Sequence, residues 1–230
     1  MLDFGAILHG DYFAWLLDGL RLSLLLTGVC LLLALPLAAV VTLARLAPQR
    51  GLHVLGWIFV EGVRSVPLLV HLLFWYFAAP ELLPEAVKTW LYSGQIETVS
   101  AIVALTLYTA AYMAEDMRSG LRAVPNDQYL AALALGLSHL ETMRLIVLPQ
   151  AMRITVPPLI SQTLNLWKNT SIATVIGTAE LMYQAQRVET ASFRGFETFA
   201  VATAAYLSLS LLLTLAGWAF QRRYPARPSA

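Results

Sequence analysis

Residues 22–44 read L-S-L-L-L-T-G-V-C-L-L-L-A-L-P-L-A-A-V-V-T-L-A, twenty-three positions without a charged side chain. A helix needs ~20 apolar residues to cross ~30 Å of hydrocarbon, so this run predicts a membrane span. Residues 198–220 form a second uncharged run of the same length. The whole chain is 58% hydrophobic and 13% charged, against roughly 45–50% and ~25% in soluble domains, which makes it an integral membrane protein. Ahead of the first run stand Asp3, Asp11 and Asp18, with no basic residue before Arg21. That is the reverse of a signal peptide's positive start, so the run is expected to stay as a span. The net charge of +1 gives no footing for nucleic acid, and Cys30, alone in mid-span, has no partner for a disulfide or metal site.

Three weaker segments complete the count: 56–77 with Glu61 and Arg64 inside it, 98–114, and 154–176 with Lys168 inside it. Five spans follow. They must be helices, because hydrocarbon offers no water to unpaired amide groups. The expected fold is all-α: one transmembrane domain over residues 1–230, with a polar segment, 125–149, between the third and fourth spans. Arg45, Arg50, Arg118, Arg122, Arg144, Arg153, Arg222, Arg223 and Arg227 fall on one side, and only Lys88, Arg187 and Arg194 on the other. Basic residues are retained in the cytoplasm, so the amino terminus is expected outside and the carboxyl terminus inside the inner (plasma) membrane. Trp15, Trp75, Tyr76, Trp90, Trp218 and Tyr224 lie where interfacial aromatic belts would put them.

The polar segment carries local helix signals. Asn126 or Asp127 is placed to cap a first helix over 129–135, and Gly136 supplies the left-handed residue that commonly ends one. Ser138 and Glu141 have capping-box spacing for a second helix, which Pro149 is expected to close. By pattern alone an amphipathic helix lying on the bilayer fits equally well. The residues resemble the permease subunits of ATP-binding-cassette (ABC) importers, in which E-A-A, three residues, G, nine residues, I-x-L-P marks the coupling helix that fits a groove on the ATPase. Ala131 and Ala132 match the alanines, Gly136 the glycine, and Ile146, Leu148 and Pro149 the I-x-L-P end, while Leu130 stands where the signature has glutamate.

This resemblance runs through nearly the whole chain, including V-R-S-V-P-L-L-V at 63–70, L-P-Q-A-M-R at 148–153 and L-W-K-N-T-S at 166–171. Within the polar-amino-acid branch it is nearest to glutamate/aspartate permease subunits, through P-E-L-L-P-E at 80–85, A-A-L-A-L-G at 131–136 and V-P-P-L at 156–159. Those subunits also lack the signature glutamate. The resemblance implies a type I importer architecture and transport by alternating access. It also implies two ATPase subunits, a second permease, identical or homologous, an extracytoplasmic solute-binding protein and an amino-acid substrate.

The chain itself lacks the means for catalysis. Its two lysines, Lys88 and Lys168, follow Val87 and Trp167, so no phosphate-loop G-K-[ST] exists and ATP hydrolysis is expected on another polypeptide. His9, His53, His71 and His139 are scattered, no G-x-S-x-G turn is present, and neither metal nor cofactor is expected.

Charges within spans cost about 2.5–3.5 kcal/mol on insertion scales, so Glu61, Arg64 and Lys168 should be paired or should line a hydrated path. Glu61 lies three residues before Arg64, which leaves local pairing and substrate contact both open. Lys168 has no acid within four residues and is followed by Asn169, Thr170 and Ser171, a polar patch suited to a ligand. Pairing of Lys168 with Glu61 or a neighbouring subunit is the alternative. In the resembling importers of cationic amino acids the position after this lysine tends to be acidic. Here it is Asn169, which implies an anionic or neutral cargo. Pro157 and Pro158 either distort the fourth span or simply open it. Two rivals remain at this stage. A non-transporting assembly or anchoring protein would satisfy Arg64 and Lys168 internally, and a proton-coupled carrier would need internal repeats and a titratable relay.

Overall fold

The first helix, α1 (Gly10–Leu46), has 37 residues, about 55 Å at 1.5 Å per residue and far longer than a bilayer core requires. The computed structural model describes residues 2–94 and 96–225, so Arg227, of the basic set expected in the cytoplasm, lies outside the described residues. The expected span 22–44 is the inner two-thirds of α1. Its leading part carries Leu16 into a separate small core with Ile7, Leu181, Ala185, Val188 and Ala202.

The second expected span, 56–77, is not one straight helix. Instead α2 (Arg50–Arg64) stops, α3 (Leu68–Leu73) begins, and the two directions differ by 103°. Pro67 has no amide hydrogen and restricts Val66 before it, so the chain cannot carry a continuous helix through this point. His71 spans the corner, its Nε2 3.0 Å from the Val63 carbonyl. A π-turn (Phe74–Ala78) and a 3-10 turn (Ala79–Leu82) extend α3. Next come α4 (Glu85–Tyr92), the long α5 (Ile96–Arg122), α6 (Asn126–Ala134) and α7 (His139–Thr142). The last three helices are α8 (Leu148–Asn169), α9 (Leu181–Ser192) and α10 (Gly195–Arg223). All regular structure among the described residues is helical.

By length and composition, α1, α5 and α10 can each cross a membrane, and the bent α2–α3 pair makes a fourth crossing if counted as one. The expected fourth span, 154–176, does not qualify. It is shared between α8 and a 3-10 turn (Thr170–Ile176), and α8 is diluted by Arg153, Gln162, Asn165 and Lys168. Proline does not break α8, which runs on through Pro157 and Pro158.

Small side chains bring the helices together, as they do wherever lipid supplies no hydrophobic drive. Ala34 and Ala38 of α1 and Ala110 of α5 are wholly buried with Val60 of α2 and Met113. Leu26, Cys30, Leu72, Leu105 and Leu166 form the adjoining core. Large apolar side chains such as Leu32, Leu43, Leu212 and Trp218 point outward, the pattern of a surface that meets acyl chains.

Candidate functional site

The polar segment folds as helix, turn, helix. Gly136 has φ 88°, its amide donates to the Leu133 carbonyl at 2.9 Å, and the Leu137 amide donates to Ala132 at 3.2 Å. This pair of bonds is the Schellman closure that a left-handed glycine permits. The expected capping box is present. The Glu141 amide donates to Ser138 Oγ at 3.3 Å, and Glu141 Oε2 accepts from the Ser138 amide at 2.8 Å. The Ser138 hydroxyl, which donates to Glu141 Oε2 at 2.7 Å, and then the Ser138 amide hold the Glu141 carboxyl below its usual range, so the cap is intact at neutral pH and is lost as pH falls through that lowered value.

Two expectations for this segment are corrected. Asn126 and Asp127 lie inside the first turn of α6, whose cap position is Pro125 with no side-chain bond. Pro149 does not close a helix. A π-turn (Met143–Val147) joins α7 to α8 without a break, and Pro149, the second residue of α8, lies within that continuous helical run. The two arms are tied by Tyr129 Oη to His139 Nδ1 at 2.5 Å and by Gln150 Nε2 to Gln128 Oε1 at 2.5 Å. Ala132 is buried at the turn, while Leu130, Leu135 and Leu140 are exposed at 52%, 84% and 78%. Ile146 is half-buried and Ala131 and Leu148 are exposed. The knuckle thus presents leucines outward.

The intramembrane charges do not pair as the spacing suggested. Glu61 is bonded to Arg45 at 3.5 Å rather than to Arg64, and Arg45 also reaches Glu115 at 3.3 Å. Arg45, one of the basic residues assigned above to the cytoplasmic side, is 8% exposed in the last turn of α1. Glu115 also pairs with Arg118. Among the described residues Arg64 has no carboxylate partner within salt-bridge distance. Its guanidinium lies 5.1 Å from the Tyr112 ring centroid.

Tyr112 belongs to a pocket of about 290 Å³ between α5 and α8, lined by Tyr108, Thr109, Tyr112, Gln162, Asn165, Leu166 and Asn169. Asn169 is therefore in the pocket wall. Lys168 is exposed beside it and is not part of the lining. Thr170 is buried and its hydroxyl donates to the Trp167 carbonyl, while Ser171 donates to the Lys168 carbonyl. Both hydroxyls thereby direct their hydrogens to their own helix.

Sequence reasoning passed over Tyr108, Tyr112, Asp116, Gln162 and Asn165. A signal existed: 108, 112 and 116 on α5, and 162, 165 and 169 on α8, are polar at helical spacing. Glu180 was missed as well. Fully buried, it accepts from Ser23 Oγ at 3.2 Å, Tyr206 Oη at 2.9 Å and the Tyr183 amide at 2.9 Å, tying α1, α9 and α10 together. Among the described residues no group of three or more His, Cys, Asp and Glu side chains is placed to hold a metal ion.

Comparison with known proteins adds a consistent picture. Residues 31–225 match the family described as "Binding-protein-dependent transport system inner membrane component". The glutamate/aspartate import permease protein GltJ of Escherichia coli (strain K12) is 33% identical over 209 residues, covering 89% of this chain and 85% of the relative. "Probable glutamine ABC transporter permease protein GlnP" of Bacillus subtilis (strain 168) is 34% identical over 218 residues, covering 94% of this chain and 96% of the relative. A chain from the crystal structure of an amino acid ABC transporter with histidines superposes with a TM-score of 0.85 at 26% identity, covering 97% of this chain and 99% of that one.

Proposed function

From the premise that this chain belongs to the binding-protein-dependent transport system inner membrane components, as the permease subunit of an amino-acid ABC importer, we propose that it carries glutamate and aspartate inward. Such a subunit is not itself an ATPase and holds no cofactor. In this reading residues 1–230 form one transmembrane domain with five crossings, α8 being the polar one. The amino terminus lies outside and the carboxyl terminus in the cytoplasm. The knuckle 125–149, through Leu130, Ala131, Ala132, Gly136, Ile146, Leu148 and Pro149, receives the motion of an ATPase subunit. A second permease, identical or homologous, completes the path, and a solute-binding protein delivers cargo from outside. ATP-driven movement of the knuckle tilts the spans and switches access, a rocking transition.

The observation that carries the choice of cargo is Arg64. Its neighbour Glu61 is committed to Arg45, and among the described residues no carboxylate lies within salt-bridge distance of the Arg64 guanidinium, which stands over Tyr112 at the edge of a polar pocket. A side-chain carboxylate is the ligand such a group recognises best. Lys168, next to Asn169, adds a second cation near the path.

Uptake of labelled glutamate by complete complexes carrying Arg64→Ala or Lys168→Ala tests this. A hydrogen bond to a charged group is worth ~1.5–3 kcal/mol, so Arg64→Ala is expected to cut glutamate uptake about tenfold or more and glutamine uptake far less. Lys168→Ala is expected to have a smaller effect in the same direction. Equal loss for glutamate and glutamine would contradict an anionic cargo, and unchanged affinity and rate would remove the mutated residue from the path.

A further inference from the structure

Gln162 stands at the join between the pocket and a carboxylate outside it. Its Nε2 donates to Asp116 Oδ2 at 3.0 Å, and its Oε1 accepts from Asn165 Nδ2 at 3.4 Å. An amide side chain has a donor end and an acceptor end of nearly equal shape, so its direction is set by what it meets. A carboxylate only accepts. Asp116 therefore turns the Gln162 nitrogen toward α5 and its oxygen toward Asn165. Asn165 must then present its own nitrogen to Gln162, which leaves its Oδ1 for the pocket. One anion, itself not in the lining, thus orders the chain Asn165 to Gln162 to Asp116.

The rest of the wall matches that polarity. Tyr108 Oη donates to Tyr112 Oη at 3.3 Å, and the two rings lie 4.9 Å apart. Carbonyl oxygens beside tyrosine faces suit a cationic ammonium, which both groups attract. Arg64, over Tyr112, is set for the opposite charge.

We propose that Asp116 is a positioning residue. Acting through Gln162, it sets the amide polarity of the α5–α8 pocket so that the wall accepts the ammonium group of the amino-acid cargo. This rests on the reading that the pocket lies on the cargo path, and it adds a division of labour within it: Arg64 for the side-chain carboxylate, the amide wall for the ammonium.

Labelled glutamate binding to the purified permease–ATPase complex, without solute-binding protein, provides the test, with unlabelled glutamate and its deamino analogue glutarate as competitors. Wild type is expected to prefer glutamate over glutarate by about tenfold or more. Asp116→Asn retains the tie between α5 and α8 but, having both a donor and an acceptor end, no longer fixes its direction, so both directions of the chain become comparable and the preference should fall severalfold. Asp116→Gln combined with Gln162→Glu transposes the pair. The amide now on α5 donates to the carboxylate now on α8, whose other oxygen still accepts from Asn165, and the preference should return. A purely structural tie would leave the glutamate-to-glutarate ratio of Asp116→Asn at the wild-type value.

Intact binding with the preference retained in Asp116→Asn overturns the proposal. So does a transposed pair that binds but shows no preference, and this second arm decides the matter alone if Asp116→Asn does not assemble. Wild-type complex that binds no glutamate overturns the cargo reading and this one with it. Binding weakened by Arg64→Ala but indifferent to Asp116→Asn overturns this one only.

Discussion

Gly136→Trp is expected to abolish uptake while leaving the amount of permease inserted in the membrane unchanged. Gly136 has φ 88° and nothing within 4 Å of where a Cβ would project. A bulky side chain there meets no internal obstacle and reaches outward from the knuckle. The local strain of an L-residue in this conformation is roughly 1–2 kcal/mol, too little to unfold a helical bundle whose cores lie elsewhere. What changes is the surface beside Leu135 and Leu130 that an ATPase subunit is proposed to grip. Gly136→Asn is the control, since asparagine tolerates left-handed backbone and adds little bulk. It should retain most uptake. Measuring initial rates against inserted protein separates the two, and full transport by the tryptophan variant would count against docking at this turn.

The second large effect is expected at Gly120. A Cβ there would fall 1.9 Å from Thr155 Oγ1, 3.1 Å from Thr155 Cβ and 3.4 Å from the Ala151 carbonyl. The α5–α8 crossing thus depends on a bare backbone, and both helices contribute to the pocket. Overpacking a tight contact costs about 1–3 kcal/mol and sometimes more. Gly120→Leu should exceed that range, because the helices must separate. Its thermal midpoint in detergent should fall sharply, and uptake should fall with it. Gly120→Ala should be milder and should be partly restored by Thr155→Ala, which removes the nearest atom. A thermal midpoint unaffected by Gly120→Leu would mean that α5 and α8 do not cross this closely.

Features coded within a few residues were the legible ones. The turn at Gly136 and the Ser138–Glu141 box are settled by neighbours in the chain, and both were readable. Long uncharged runs likewise marked α1 and α10, although not where α1 begins, because its first turns pack on α9 rather than on lipid. Gly19 is one reason for that packing: a Cβ there would lie 2.9 Å from Leu181 Cα. The kink at Pro67 had a proline to announce it, but its neighbours are apolar enough to read as one span.

The pairing of charges was not legible, since Arg45 comes to Glu61 from another helix and outcompetes the local partner Arg64. The pocket was hidden for a related reason. Its polar wall is made largely of uncharged amides and phenols from two helices far apart in sequence, whose polarity carries no charge to mark it. The alternative of a non-transporting anchor falls with family membership. The proton-coupled carrier falls with it.

Motion from a separate ATPase is proposed to enter the helices through the knuckle. A photo-reactive residue at position 135, where the native leucine is 84% exposed, placed in the complete complex in native membranes, tests this most directly. The account predicts a cross-link to the ATPase subunit whose yield changes with bound ATP. Labelling of lipid alone, or reaction only with reagents confined to the outer side, would contradict it.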